Sequence, residues 1–147
     1  MGIAKLSTLR SKDPNTSVGA CIVDKDNKIL SVGYNGMPWG CPDDEYPWER
    51  DNEDPLESKY LYVCHAELNA LLNYTGTNLQ GARIYTTLFP CNECTKALIQ
   101  SGIREVIYCE DKYAGTASVI AAKKMMHSAG IRYRRYECLN QNIQMEL

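Results

Sequence analysis

Two short stretches, His65-Ala66-Glu67 and Pro90-Cys91-Asn92-Glu93-Cys94, hold four side chains with metal or proton chemistry, and any fold for this chain has to bring them together. One imidazole and two thiolates supply three ligands for a zinc ion and leave its fourth position to water. A carboxylate two residues from the imidazole supplies an acid/base beside that water. Mixed nitrogen and sulfur ligation suits zinc best, although iron or cobalt accepts the same donors. The competing reading is a closed structural zinc site, which needs a fourth ligand from Cys41, Cys64 or Cys109. Cys64 directly precedes His65 and is expected to point elsewhere, and a closed site gives Glu67 no role.

The surrounding pattern says where these residues fall. A helix is predicted over 3–9, ending at the polar run 10–15, where Pro14 and Asn15 oppose its continuation. Residues 18–23 and 29–34 read as strands of an antiparallel hairpin turned at Asp24, Asp26 and Asn27. The stretch 35–57 carries four of the chain's six prolines and both tryptophans without a sustained period. A loop of that length inside a compact domain is usually functional. Beyond it helices at 65–74, 91–101 and 117–129 alternate with strands at 83–87, 105–109 and 132–136. Gly102 and Gly130 follow two of the helices, where a left-handed cap is needed. On the last helix Val119, Ala122, Met126 and Ala129 share an apolar face, with Lys123, Lys124 and Ser128 off it. Helical crossovers imply parallel strands added to the hairpin. The expected fold is therefore α/β, a three-layer α/β/α sandwich with a five-stranded mixed sheet in one domain over 1–147, its tail at 140–147 frayed.

In that fold both halves of the ligand set open helices. Cysteines three apart share a helix face, and the positive ends of two helix dipoles favour thiolate over thiol. The site is expected between two helix N-termini.

Composition limits the setting. A formal net charge of −2 and a pI near 5.7 provide no global basic field for polymeric nucleic acid. Seven cysteines are an odd number without the spacing of a disulfide scaffold, which favours a reducing cytoplasm. Neither a signal segment nor a membrane anchor is expected.

Several further stretches carry a resemblance: Arg-Ser-Lys-Asp-Pro-Asn (10–15), Val-Gly-Ala-Cys-Ile-Val (18–23), Gly-Tyr-Asn-Gly-Met-Pro (33–38), Val-Cys-His-Ala-Glu-Leu-Asn-Ala (63–70), Leu-Phe-Pro-Cys-Asn-Glu-Cys (88–94) and Asp-Lys-Tyr (111–113). Over 10–136 the chain resembles the deoxycytidylate deaminases of the cytidine deaminase superfamily. The resemblance implies hydrolysis of dCMP to dUMP and ammonia, supplying dUMP for dTMP synthesis, with His65, Cys91 and Cys94 holding Zn2+ and Glu67 shuttling protons. It implies that Asn35 bonds the deoxyribose or base, that Tyr113 approaches the substrate, and that Arg10, Ser11 and Lys12 bind its phosphate. It further implies a homohexamer activated by dCTP with Mg2+ and inhibited by dTTP through the 36–50 region, with Gly36, Trp48 and Arg50 as effector contacts. Trp48-Glu49-Arg50 leaves one basic residue where eukaryotic-type members often carry two, and only nine residues precede Arg10. Two alternatives stand beside this reading: a deaminase acting on dCTP as well as dCMP, and a zinc-stabilised nucleotide-binding module without turnover.

Overall fold

A computed structural model describes residues 1–138, so the 140–147 tail lies outside the described residues. The expected hairpin opens the sheet. β1 (Gly19–Val23) and β2 (Ile29–Tyr34) pair antiparallel, and the turn between them holds Asn27 at φ 65°, a conformation asparagine tolerates. Asp24 Oδ1 accepts from the Asp26 and Lys28 N–H groups there. β3 (Arg83–Leu88) flanks β1 antiparallel, and β4 (Glu105–Glu110) and β5 (Arg132–Arg135) continue parallel to it. The five strands stand in the order β2-β1-β3-β4-β5.

Three crossovers, each stepping in the same direction along the sheet, carry α2 (Ala66–Leu72), α3 (Asn92–Gln100) and α4 (Ala117–Ser128). Right-handed connection therefore lays all three on one face. There Ala20, Ile22, Ile84 and Val106 of the strands meet Ala66, Ala70, Leu98, Val119, Ala122 and Met126 of the helices. The opposite face receives α1 (Gly2–Ser7), whose Ala4 packs with Cys21 and Val23. β1 is buried along its whole length because it lies between both layers. The result is an α/β/α sandwich with one thin layer, and no described helix is long and apolar enough to cross a membrane.

Local differences from the predicted boundaries have physical causes. α1 stops at Ser7 and tightens into a 3-10 turn, Thr8–Arg10, as the Ser7 and Thr8 hydroxyls bond back to the Ala4 and Lys5 carbonyls. Two further 3-10 turns, Pro55–Glu57 at the end of the long loop and Lys59–Leu61 just after it, are capped by Asp54 and Ser58. Gly102 and Gly130 take φ 85° and 68°, as a left-handed cap requires. On α4 the buried residues are Val119, Ala122 and Met126, the predicted face.

α2 is set on the sheet at very short range. A Cβ added at Gly33 would stand 2.2 Å from Ala66 O and 2.3 Å from Ala70 N. Ser31 Oγ donates to Ala70 O at 2.5 Å, and the Asn69 and Asn73 amides donate to Tyr34 O and Val32 O along β2. Gly33→Ala is therefore expected to push α2 off the sheet and to cost about 1–3 kcal/mol or more, as overpacking does. A denaturant midpoint equal to that of the parent chain would contradict this packing.

Candidate metal and catalytic site

The metal-binding donors stand in front of two helix ends. His65 is the N-cap of α2, with extended backbone at φ −74° and ψ 157°. Cys91 is the N-cap of α3, at φ −71° and ψ 172°. Neither belongs to its helix proper, so residues two apart, His65 and Glu67, can both face the space ahead of α2. His65 Nδ1 lies 3.4 Å from Cys91 Sγ and 3.5 Å from Cys94 Sγ, and the three donor atoms lie within 4.8 Å of one another. Tetrahedral zinc with bonds of about 2.0 Å to nitrogen and 2.3 Å to sulfur separates those atoms by roughly 3.6 Å, so the donors fit the ion. Among the described residues no other cysteine joins this cluster. Cys64, next to His65, is instead tied through its backbone to Gly36. Three protein donors leave the coordination open, as hydrolysis requires.

The local electrostatics favour this ligation. Cys91 is drawn down to about 4, chiefly by the hydrogen bond from the Cys94 thiol and further by His65 and the Cys94 N–H, against the effect of burial. Cys94 is pushed up by the same contact with Cys91 and by burial. Both cysteines bind a divalent cation as thiolates, so ligation releases protons. His65 is raised by its contact with Cys91. Glu67 is 3% exposed and is raised by burial, with His65 opposing. Its Oε1 accepts from Thr86 Oγ1 at 3.1 Å, and the same hydroxyl lies 2.9 Å from Leu88 O. Thr86 was not singled out in the sequence. Its signal was a hydroxyl at a strand position whose alternation with Ile84 points it beneath the helices.

His65, Glu67 and Cys91 form the floor of a cavity of about 410 Å3, which Asn35, Arg50, Lys59 and Tyr113 also line. Asn35 reaches it from the end of β2, but its amide is fully engaged. Oδ1 accepts from Ser11 Oγ and Val18 N–H at 2.8 and 2.7 Å, and Nδ2 donates to Asp13 Oδ2 and Thr16 O at 3.1 and 3.0 Å. A bond from Asn35 to a sugar would replace one of these. Asp13 Oδ2 also accepts from Lys59 Nζ at 2.5 Å, with both side chains almost wholly buried. Burial alone would raise Asp13, yet Lys59 and the Asn15 and Thr16 N–H groups hold it below the usual carboxylate range. Sequence reasoning missed this pair, since its members, one in a loop and one opening a 3-10 turn, stand 46 residues apart.

The remaining expected residues divide. Tyr113 lines the cavity. Arg10 is exposed and lies over the Tyr34 ring, and Lys12 points outward to Asp43, with its side chain 70% exposed. Ser11 serves Asn35, and none of the three lines the cavity. Gly36 and Trp48 lie outside it, Trp48 donating from Nε1 to Asp43 O and accepting at its carbonyl from Asn15. Arg50, read from the resemblance as an effector contact, lines the cavity itself.

An open His-Cys-Cys donor set beside a buried glutamate is the equipment of a hydrolytic metal enzyme. Residues 1–110 match the cytidine and deoxycytidylate deaminase zinc-binding region. A human deoxycytidylate deaminase is 53% identical over 136 residues, spanning 92% of this chain and 76% of that one. A probable deoxycytidylate deaminase of Drosophila melanogaster is 52% identical, spanning 92% and 70%. The crystal structure of a cyanophage S-TIM5 dCMP deaminase in complex with dCMP and dUMP is similar with a TM-score of 0.69 at 28% identity, over 90% of both chains. The chain belongs to the cytidine and deoxycytidylate deaminase family.

One zinc per chain is expected, and His65→Ala, Cys91→Ala and Cys94→Ala should each lose it. Because all three donors bind only when deprotonated, acid as well as chelators should strip the ion. Elemental analysis checks both, and full zinc retention in Cys91→Ala would mean that other ligands hold the ion.

Proposed function

We propose that the chain hydrolyses dCMP to dUMP and ammonia, with His65, Cys91 and Cys94 holding zinc and Glu67 moving the protons. The observation that carries this reading is Glu67. A carboxylate 3% exposed at the floor of a nucleotide-sized cavity, beside three metal donors, is costly to keep unless it works. The relatives named as deoxycytidylate deaminases and the neighbour holding dCMP and dUMP supply the substrate class.

Zinc supplies Lewis acidity that brings a water molecule to a nucleophilic state near neutral pH. Glu67 accepts the proton this water gives up and passes it to N3 of the cytosine ring, which makes C4 electrophilic. The water oxygen adds at C4. Glu67, again a carboxylate, then takes the remaining proton from the C4 hydroxyl and delivers it to the amino nitrogen; the C–N bond breaks, ammonia leaves and the oxo ring remains. Burial raises the carboxyl and so strengthens it as a base. Thr86 holds Oε1 in place through these exchanges.

One feature favours the monophosphate over the reading in which dCTP is also a substrate. Outside the cavity Asp51 and Glu53 line an open groove continuous with Arg50 and Tyr60. Further phosphates entering that groove meet like charge. The binding-module alternative gives no reason for a buried, ion-free carboxylate at Glu67.

The proposal extends to regulation. The Gly36 to Arg50 loop, with Trp48, is the surface on which dCTP with Mg2+ activates and dTTP inhibits a homohexamer working in the cytoplasm. The loop is tied to the cavity wall through Lys59 N–H, which donates to Glu49 O, and to the segment before β1 through Asn15, which donates to Trp48 O. Binding on the loop thus bears on the groups that line the cavity.

Glu67→Gln should keep zinc and fold while ammonia release from dCMP falls by more than the ~100- to 10,000-fold that one acid/base contributes, because one group serves several transfers. Near-parental turnover in that variant would remove Glu67 from the mechanism. dCTP should lower, and dTTP raise, the dCMP concentration for half-activity at excess Mg2+, since each effector must favour a different state. Hyperbolic curves unmoved by either triphosphate would sink the regulation, and a monomeric mass in solution would sink the hexamer.

A further inference from the structure

We propose that Arg50, assisted by Lys112, receives the 5′-phosphate of the substrate at the mouth of the zinc cavity. The inference rests on the reading of the chain as a nucleotide deaminase, and it moves the phosphate away from Arg10 and Lys12.

Charge pairing and contact with the cavity wall together separate these two cations from their neighbours. Among the described residues Arg10 also lacks a carboxylate partner, but it lies over the Tyr34 ring and away from the cavity. Lys12 is neutralised by Asp43, Lys59 by Asp13 and Lys123 by Asp111. Among the described residues neither Arg50 nor Lys112 has a carboxylate partner. Both converge on one atom of the cavity wall, Thr16 Oγ1, which accepts from Arg50 Nη2 at 2.5 Å and from Lys112 Nζ at 3.4 Å. The Arg50 Nε is buried and has no acceptor among the described residues. The Arg50 side chain lines the cavity, so a small turn of the guanidinium lets this unpaired N–H meet an anion's oxygen there. Lys112 Nζ also lies 5.1 Å from the ring centre of Tyr113, another wall residue, which brings its charge to the same rim.

The position along the cavity fits the phosphate and not the base. The base has to lie with C4 toward His65, Glu67 and Cys91, so the 5′ end of the nucleotide points away from the floor. Arg50 and Tyr60 line both the cavity and the open groove outside it, so they mark the mouth. A guanidinium there offers a fork of donors matched to phosphate oxygens.

The test uses zinc-loaded enzyme and compares dCMP with deoxycytidine as substrates and dUMP with deoxyuridine as ligands. Arg50→Ala should lower kcat/KM for dCMP and weaken dUMP binding by roughly ten- to a hundredfold, with zinc content, deoxycytidine turnover and deoxyuridine binding little changed. Arg50→Lys should recover part of the loss, and Lys112→Ala should show a smaller loss of the same kind. Equal losses for nucleotide and nucleoside, or a larger nucleotide-selective loss in Lys12→Ala than in Arg50→Ala, would overturn the assignment. If the parent chain binds dUMP through Arg50 yet releases ammonia from no cytosine compound, the deaminase reading fails and the phosphate site stands.

Discussion

Everything in this active site depends on two helices starting at the same place. His65 and Cys91 stand just ahead of α2 and α3, in extended backbone, so their donor atoms project past the helix ends. That convergence requires α2 to lie close to the sheet and beside α3, and the strand order β2-β1-β3 provides the adjacency. The closeness comes from the smallest side chains. Gly33, Ala66 and Ala70 let backbone approach backbone where one added carbon would collide. The metal centre is thus a product of packing on the far end of the hairpin as much as of its own ligands.

The same economy of space explains how Glu67 can be buried. It sits at the first turn of α2, where the helix dipole favours a negative charge, and Thr86 offers its hydroxyl from the strand below. Burial raises the proton affinity of the carboxyl, with His65 opposing, and among the described residues no ion pair offsets it. A neighbouring lysine or arginine would stabilise the carboxylate and make it a poorer base. The cations of the cavity wall are held elsewhere, Lys59 on Asp13 and Arg50 on Thr16.

Much of this was legible in the sequence, for reasons that differ by residue. The metal donors and Glu67 announce themselves because their spacing is local and the chemistry admits few alternatives. The strand and helix order was equally readable, since each element carries its own period and Gly102 and Gly130 mark two helix ends. The cavity wall was not. Lys59 and Asp13 look like solvated loop residues until the fold brings them together, and Arg50 and Thr16 meet across 34 positions. Arg10 and Lys12 were read as phosphate contacts from the resemblance alone; in the fold neither lines the cavity, and Lys12 is paired with Asp43. Spacing along the chain reports helical neighbours; it carries no record of which loop a charge will find.

The buried Asp13–Lys59 contact has a consequence for how this sequence can vary. Removing one member of such a pair strands a charge in low dielectric, at about 3–5 kcal/mol, while replacing both by apolar residues of similar volume is often neutral. The path from one tolerated state to another therefore passes through a deep fitness valley if the two positions change one at a time. Asn35 narrows that path further, since it too leans on Asp13. The turn before β1 and the segment before α2 are bound to drift as a unit, and related chains should differ at both positions together or at neither.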